Sequence, residues 1–167
     1  QLILMKGFLK YKVLGETRDD AAGECFDKVA RILGLGYPGG PSVAKMATQF
    51  KISDRDRVSI QLPRPMIYQK NYDFSFSGLK TAVLYLTKQL TANGKQLTSR
   101  QRQEICDGTQ QAIIDVLIHK TLLAAKEFKA KSIILGGGVS ANEELRKQFN
   151  YQLKTINCKL KFFAPPK

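Results

Sequence analysis

"SIILGGGVSANEELR", residues 132–146, is the stretch that decides the fold class. Ile133, Ile134 and Leu135 make a short apolar run of strand type, three glycines follow, and a polar segment with helix-start chemistry comes next. One small residue is enough for a tight turn. Gly136, Gly137 and Gly138 together free the backbone for conformations closed to other residues and keep side chains away from the turn. Ser140 with Glu143 three residues on has capping-box spacing, which predicts a helix over about 141–153 with its free N–H groups pointing back over the glycines. A strand, a bare turn and a helix N-terminus favour an anion and let a flat ring lie close to the backbone. Asn142 falls in the expected first turn, where its amide can hydrogen-bond a ribose or a base. The same letters also suit a strand-to-helix turn that needs small residues for packing alone, because glycine-rich turns carry little specificity.

After that helix, residues 159–163 read as a second strand, so the end of the chain is βαβ. At the other end, residues 1–14 hold two strand-like runs around Lys6-Gly7, with Phe8, Tyr11 and Val13 in the second, and predict a hairpin. The period then changes. Ala22, Cys25, Phe26, Val29, Ile32 and Leu33 recur at three and four residues, an amphipathic helix with Thr17 or Asp19 to cap its start and Gly34 or Gly36 its end. A short helix is expected after "YPGGPSVAKMA", an irregular excursion over 49–76, and a helix over 78–90 capped by Ser77 with Phe74 or Phe76 as a staple. The longest helix, 99–128, should bury a stripe of Ile105, Thr109, Ala112, Ile113, Val116, Leu117, Leu123, Ala124 and Phe128. The order ββ, helices, βαβ predicts an α/β fold with a mixed sheet and a helical insertion: hairpin strands over 1–16, helices over 17–128, βαβ over 129–167, all in one partial domain.

Composition narrows the classes. The chain has 167 residues, 43% hydrophobic and 25% charged, which is globular composition. Its 27 Lys+Arg against 14 Asp+Glu give +13, a field that attracts polyanions such as nucleic acid or an anionic membrane surface, or that simply keeps a basic protein in solution. Cys25, Cys106 and Cys158 are far apart and without CxxC spacing, so neither a disulfide framework nor a zinc site is indicated and a reducing cytoplasm fits. No apolar run approaches the roughly 18 residues of a membrane span, and no membrane partner is expected. His119 is the only histidine. HExxH and GxSxG are both absent, which removes zinc-peptidase and serine-hydrolase chemistry.

Two further stretches bear on ligand binding. Asp20, Gly23, Glu24 and Asp27 share a helical face, with Gly23 as a notch between carboxylates that can hold ribose hydroxyls or a metal-bound phosphate. A solvated face whose acids favour the positive helix start explains Asp19 and Asp20 equally well, but not a glycine inside the helix. Gly39-Gly40, framed by Pro38 and Pro41, allows either close backbone approach to a ligand or a plain turn.

Taken in order, "LGETRDDAAGECFDKVARILGLGYPGGP", "LPRPM", "DFSFSGLKTA" and "GGGVSANEELR" closely resemble the tRNA adenosine threonylcarbamoyltransferases, the TsaD family once called O-sialoglycoprotein endopeptidases. The resemblance covers nearly the whole chain. It implies an actin/Hsp70/sugar-kinase-like (ribonuclease H-like) domain and an acyltransferase that passes threonylcarbamoyl from threonylcarbamoyl-adenylate to the exocyclic amine of the adenosine beside the tRNA anticodon. It also implies an adenylate or ATP-type nucleotide, an iron or zinc ion, tRNA and other subunits of the modification complex as ligands and partners. Carried over residue by residue, contacts to the nucleotide fall on Asp27, Gly40 and Asn142, with Gly138 as bare backbone for adenine or ribose; no catalytic residue is assigned. The family's histidine pair, its "SGGHT"-type loop and its "DNG" segment have no counterpart here, so no metal ligand is expected among these residues. The chain, which starts without Met and in mid-pattern, is expected to be a portion of the second domain, inactive in transfer when alone. The competing expectation is a noncatalytic nucleotide- or tRNA-binding or scaffold module of the same superfamily.

Overall fold

A computed structural model describes residues 1–50, 60–155 and 160–166. Cys158 and the first residue of the strand expected over 159–163 lie outside the described residues, as does 51–59 of the long excursion.

The hairpin is formed by β1 (Leu2–Gly7) and β2 (Lys10–Gly15), antiparallel, with Ile3 opposite Val13 and Met5 opposite Tyr11. Phe8 belongs to the turn and not to the second strand, and it is 90% exposed beside Leu9 at φ +55°. Helix α1 (Ala22–Ile32) buries Cys25, Phe26, Val29 and Ala30 on one face. It stops where Gly34 adopts φ +69°, so that the Leu35 N–H reaches the Ala30 carbonyl at 2.8 Å and the Gly34 N–H the Arg31 carbonyl at 3.2 Å. Helix α2 (Gly39–Thr48) follows after a cis Tyr37-Pro38 bond, and α3 (Ser77–Leu90) after the turns of residues 60–76.

Helix α4 (Ser99–Glu127) begins at a reciprocal cap: the Gln101 N–H donates to Thr98 Oγ1 at 3.2 Å and the Thr98 N–H to Gln101 Oε1 at 2.9 Å. The expected single stripe is too narrow a description of this helix. Leu123 is 41% exposed, while Cys106, Ile114, Ile118, Lys120 and Ala125, outside that stripe, are buried. The reason is that α4 separates two cores. Ile105, Cys106, Ala112, Ile113 and Val116 face α1, α2 and α3; Ile114, Ile118 and Ala125 face Ile133, Leu145, Phe149 and Leu153. A helix covered on two sides cannot show one apolar stripe.

The second core is roofed by β3 (Ser132–Ile134), α5 (Glu143–Thr155) and β4 (Lys161–Phe163), with the two strands parallel and Ile133 opposite Phe162. Strand–helix–strand with a parallel pair is a βαβ unit. The fold is α/β, but among the described residues β1–β2 and β3–β4 are two separate two-stranded sheets, not one mixed sheet: no strand of the hairpin is hydrogen-bonded to a strand of the βαβ end. No helix among the described residues is long and apolar enough to cross a membrane.

Candidate functional site

Three elements carry the residues singled out above. Asp27 lies on α1, Gly40 at the start of α2, and Gly138 and Asn142 in the turn between β3 and α5. Asp27 and the glycine pair meet directly: the Gly39 N–H donates to Asp27 Oδ1 at 2.7 Å, so the carboxylate satisfies one of the free donors at the α2 N-terminus. The junction is tight. A Cβ on Gly39 would stand 2.5 Å from Asp27 Cα and 2.8 Å from the Phe26 carbonyl, whereas nothing lies within 4 Å of the Cβ position of Gly40. Gly39 is therefore the packing glycine, and Gly40 is the one with clear space. Beside this junction a cleft of about 320 Å³ opens, lined by Asp27, Ala30, Arg31, Gly34, Leu35, Gly36, Tyr37 and Gly39; of the expected contact residues Asp27 lines it, and Gly40, Gly138 and Asn142 do not.

The glycine turn is on the same side of α1. A Cβ on Gly23 would lie 3.6 Å from Val139 Cγ2, ordinary van der Waals contact, so the turn's own valine borders the notch read between the carboxylates, one helical turn before Asp27. Gly137 takes φ +81°, and the Cβ positions of Gly136, Gly137 and Gly138 all meet open space. Gly138 to Ala141 form a single 3₁₀ turn, and α5 begins at Glu143, two residues later than expected.

The expected cap at Ser140 is corrected. Ser140 is 3% exposed inside that turn, and Asn142 is the cap: extended at φ −66°, ψ 116°, it accepts the Leu145 N–H on Oδ1 at 2.9 Å. Its Nδ2 donates to Oε1 of Gln110, a residue of α4 only 4% exposed, at 2.9 Å.

The remaining carboxylates are engaged by the protein. Lys28 pairs with Asp20 at 2.6 Å and Glu24 at 2.8 Å, and Glu24 also accepts the Ala21 N–H. Neither Thr17 nor Asp19 caps α1; Ala21 occupies that position without a side-chain bond. Asp19 instead crosses to α3. Its Oδ1 accepts the N–H groups of Phe76 at 2.8 Å and Ser77 at 3.1 Å, and its Oδ2 accepts the hydroxyls of Ser75 at 2.6 Å and Ser77 at 2.7 Å. Ser77 is thus a donor to the cap and not the cap itself. Burial alone would raise the Asp19 carboxyl, but the four bonds outweigh it and hold it down to about 2. Around this clamp, residues 16–18 pair with 73–75 through Thr17 and Phe74, and Arg18 closes on Asp73 at 2.5 Å.

Sequence spacing gave no sign of Gln110, nor of Lys120. The latter, fully buried on α4, donates Nζ to the carbonyls of Asn71 at 2.6 Å and Gln69 at 3.1 Å and so ties the excursion to the helix. Burial lowers its ammonium, opposed by the charge of Asp73. The thiols of Cys25 and Cys106 are pushed up to about 12, first by burial and then by nearby Asp side chains, which makes them core atoms and not nucleophiles. His119 is exposed and meets the Tyr68 ring edge-on.

A bound iron or zinc does not fit the residues present: among the described residues no three His, Cys, Asp or Glu side chains gather to hold an ion.

Comparison with known proteins agrees with this arrangement of motifs. A family model described as "TsaD: tRNA N6-adenosine threonylcarbamoyltransferase" matches residues 1–167. The protein of that name from Desulfotalea psychrophila is 46% identical over 164 residues, covering 98% of this chain and 46% of the relative. Its namesake from Bordetella pertussis is 45% identical over 166 residues, 99% of this chain and 46% of the relative, and that of Chromobacterium violaceum 46% identical over 150 residues, 90% and 42%. The chain thus spans just under half the length of these curated relatives. With its whole length matched by the family model and each of its four motifs in order, the chain belongs to the TsaD family.

Proposed function

We propose that this chain supplies the nucleoside-holding side of a threonylcarbamoyl-transfer site acting on tRNA, within an actin-like domain. The observation that carries the reading is the junction of α1 and α2: Asp27 anchored by the Gly39 N–H beside a cleft of about 320 Å³, with Gly40 clear of side chains and the glycine turn seated on Gly23. A cleft of this size suits a nucleoside.

In this reading the adenylate end of threonylcarbamoyl-adenylate occupies the cleft. Asp27 uses one oxygen on Gly39 and turns its remaining lone pairs to the ribose hydroxyls. Gly40, Gly138 and Asn142 lie outside the lining of that cleft; in this reading a part of the ligand that extends beyond it meets the bare backbone of the two glycines, and Asn142 offers an N–H to an acceptor there. This chain's part is binding and orientation; holding the acyl-adenylate still against the adenosine amine is worth a large fraction of the barrier to such a transfer. No step is routed through the ion that the family implies, since among the described residues no three candidate ligands gather. Partner subunits and a cytoplasmic location belong to the same reading, with tRNA drawn by the +13 charge.

Calorimetry with AMP on the intact protein tests it. Asp27→Ala is expected to weaken AMP at least tenfold, the scale of losing charged hydrogen bonds to two hydroxyls, and to slow transfer to tRNA in step. Unchanged AMP affinity in Asp27→Ala rejects the site. The net charge of +13 also favours a noncatalytic tRNA-binding module. That reading requires tRNA affinity that falls steeply with salt and is indifferent to Asp27→Ala and to AMP.

A further inference from the structure

We infer that Gln110 is a positioning residue that locks the side-chain amide of Asn142 so that it presents one N–H donor, and no flipped oxygen, to the ligand. The inference rests on the proposed nucleoside site and extends it to a residue 32 positions away in the chain.

Asn142 has two polar ends, and the fold occupies both. Its Oδ1 must be the oxygen, because the group it meets is the Leu145 N–H at 2.9 Å, a donor at the start of α5. Its Nδ2 then faces Gln110 Oε1 at 2.9 Å. Turning the amide over would set N–H against N–H at Leu145 and oxygen against oxygen at Gln110, losing two hydrogen bonds at once. Gln110 is 4% exposed on α4, a helix packed on both sides, so its own oxygen has little freedom to follow. Of the two Nδ2 protons one is spent on Gln110, and the other is left for a ligand. A half-buried Asn held this way recognises an acceptor, such as a ribose or phosphate oxygen or a ring nitrogen, and disfavours a donor. Without Gln110 the amide keeps its cap but loses the partner that fixes its plane.

The test uses the intact protein, AMP as the probe, and the variants Gln110→Leu, Gln110→Glu, Asn142→Ala and the double variant Gln110→Leu/Asn142→Ala. Glu keeps an oxygen acceptor where Leu has none. Gln110→Leu is expected to weaken AMP about tenfold, the scale of one lost oriented hydrogen bond, and to shift the Asn142 side-chain NH₂ resonance in ligand-free protein. Gln110→Glu should stay within about threefold of wild type, and the double variant should bind no more weakly than Asn142→Ala, as for groups acting through one contact. If Asn142→Ala weakens AMP while Gln110→Leu does not, the positioning role is wrong and the site stands. If Asn142→Ala binds like wild type, the site reading itself fails and takes this one with it. Equal weakening by Gln110→Leu with and without Asn142 means that Gln110 acts only through the fold, which also overturns the proposal. So does a folded Gln110→Glu protein weakened tenfold, a decisive result even where the Leu variant does not fold.

Discussion

At the scale of single residues, the strongest polar device is a carboxylate that local spacing assigns to the wrong helix. Asp19 stands three residues before α1, where an acid favours the helix start, yet its four bonds go to residues 75–77 at the start of α3. One side chain thus satisfies two backbone donors of one helix from the threshold of another. Replacing it with Ala should cost about 1–2 kcal/mol in urea unfolding at pH 7, the range of a lost N-cap. The pH dependence has a definite sign. The folded carboxyl sits at about 2 against an ordinary value of 3.8, so its contribution is complete above about pH 4 and is lost as pH falls towards 2. Wild-type stability should therefore decline across that window more steeply than that of Asp19→Ala, and parallel declines would show that the clamp does not carry the charge effect. Cap spacing could not reveal this partner, because it lies more than fifty residues downstream in "DFSFSGLKT".

At the scale of elements, the period of the sequence was a good guide and the contacts between elements were not. The hairpin and α1 were visible from repeats of two and of three to four residues, since burying one face of one element leaves a local pattern, and α3 and α5 from cap residues; α2 was expected only as a short helix after a turn, whereas it begins at Gly39, inside the stretch read as that turn. The Asp27–Gly39 junction leaves only a pair of glycines, and Asn142–Gln110 leaves nothing local at all. The two adjacent glycines nonetheless divide the labour at the α1–α2 junction. Gly39→Ala drives a methyl to 2.5 Å from the backbone of Asp27 and should destabilise by about 1–3 kcal/mol or more, as overpacking does. Gly40→Ala meets open space, so its midpoint should stay within about 0.5 kcal/mol of wild type. On the proposed reading, Gly40→Ala weakens AMP while leaving thermal unfolding alone, and the combination of melting curve and calorimetry separates the two roles. A Gly40→Ala protein that unfolds early, or a Gly39→Ala protein that does not, would contradict the packing described for this junction.

At the scale of the whole molecule, α4 makes one cooperative body out of two small cores. Successive residues serve different cores: Ile113 belongs to the core with α1, α2 and α3, and Ile114 to the core under β3, α5 and β4, both essentially fully buried. Leu117 and Val139 pack against both cores, and Val139 also touches Gly23. A polar bridge runs beside them, with Gln111 and Gln148 exchanging amide hydrogen bonds at 2.7 and 2.9 Å, and Asp115 joining Gln111 to Arg64. Two cores that share a helix, a turn and a hydrogen-bonded strut have little surface at which to part, so opening one exposes the other. Truncating Ile113 or Ile114 to Ala should each cost about 2–5 kcal/mol, the range for buried large-to-small changes. The informative result is the pattern of hydrogen exchange. If the cores are coupled, either variant lowers the protection of the slowest amides in α1 and α5 alike, and urea transitions followed by two probes coincide. Loss confined to α5 in Ile114→Ala would mean that the βαβ end opens by itself. The turn that carries Val139 and Asn142 would then be free to leave Gly23, and on the proposed reading the two sides of the site would part.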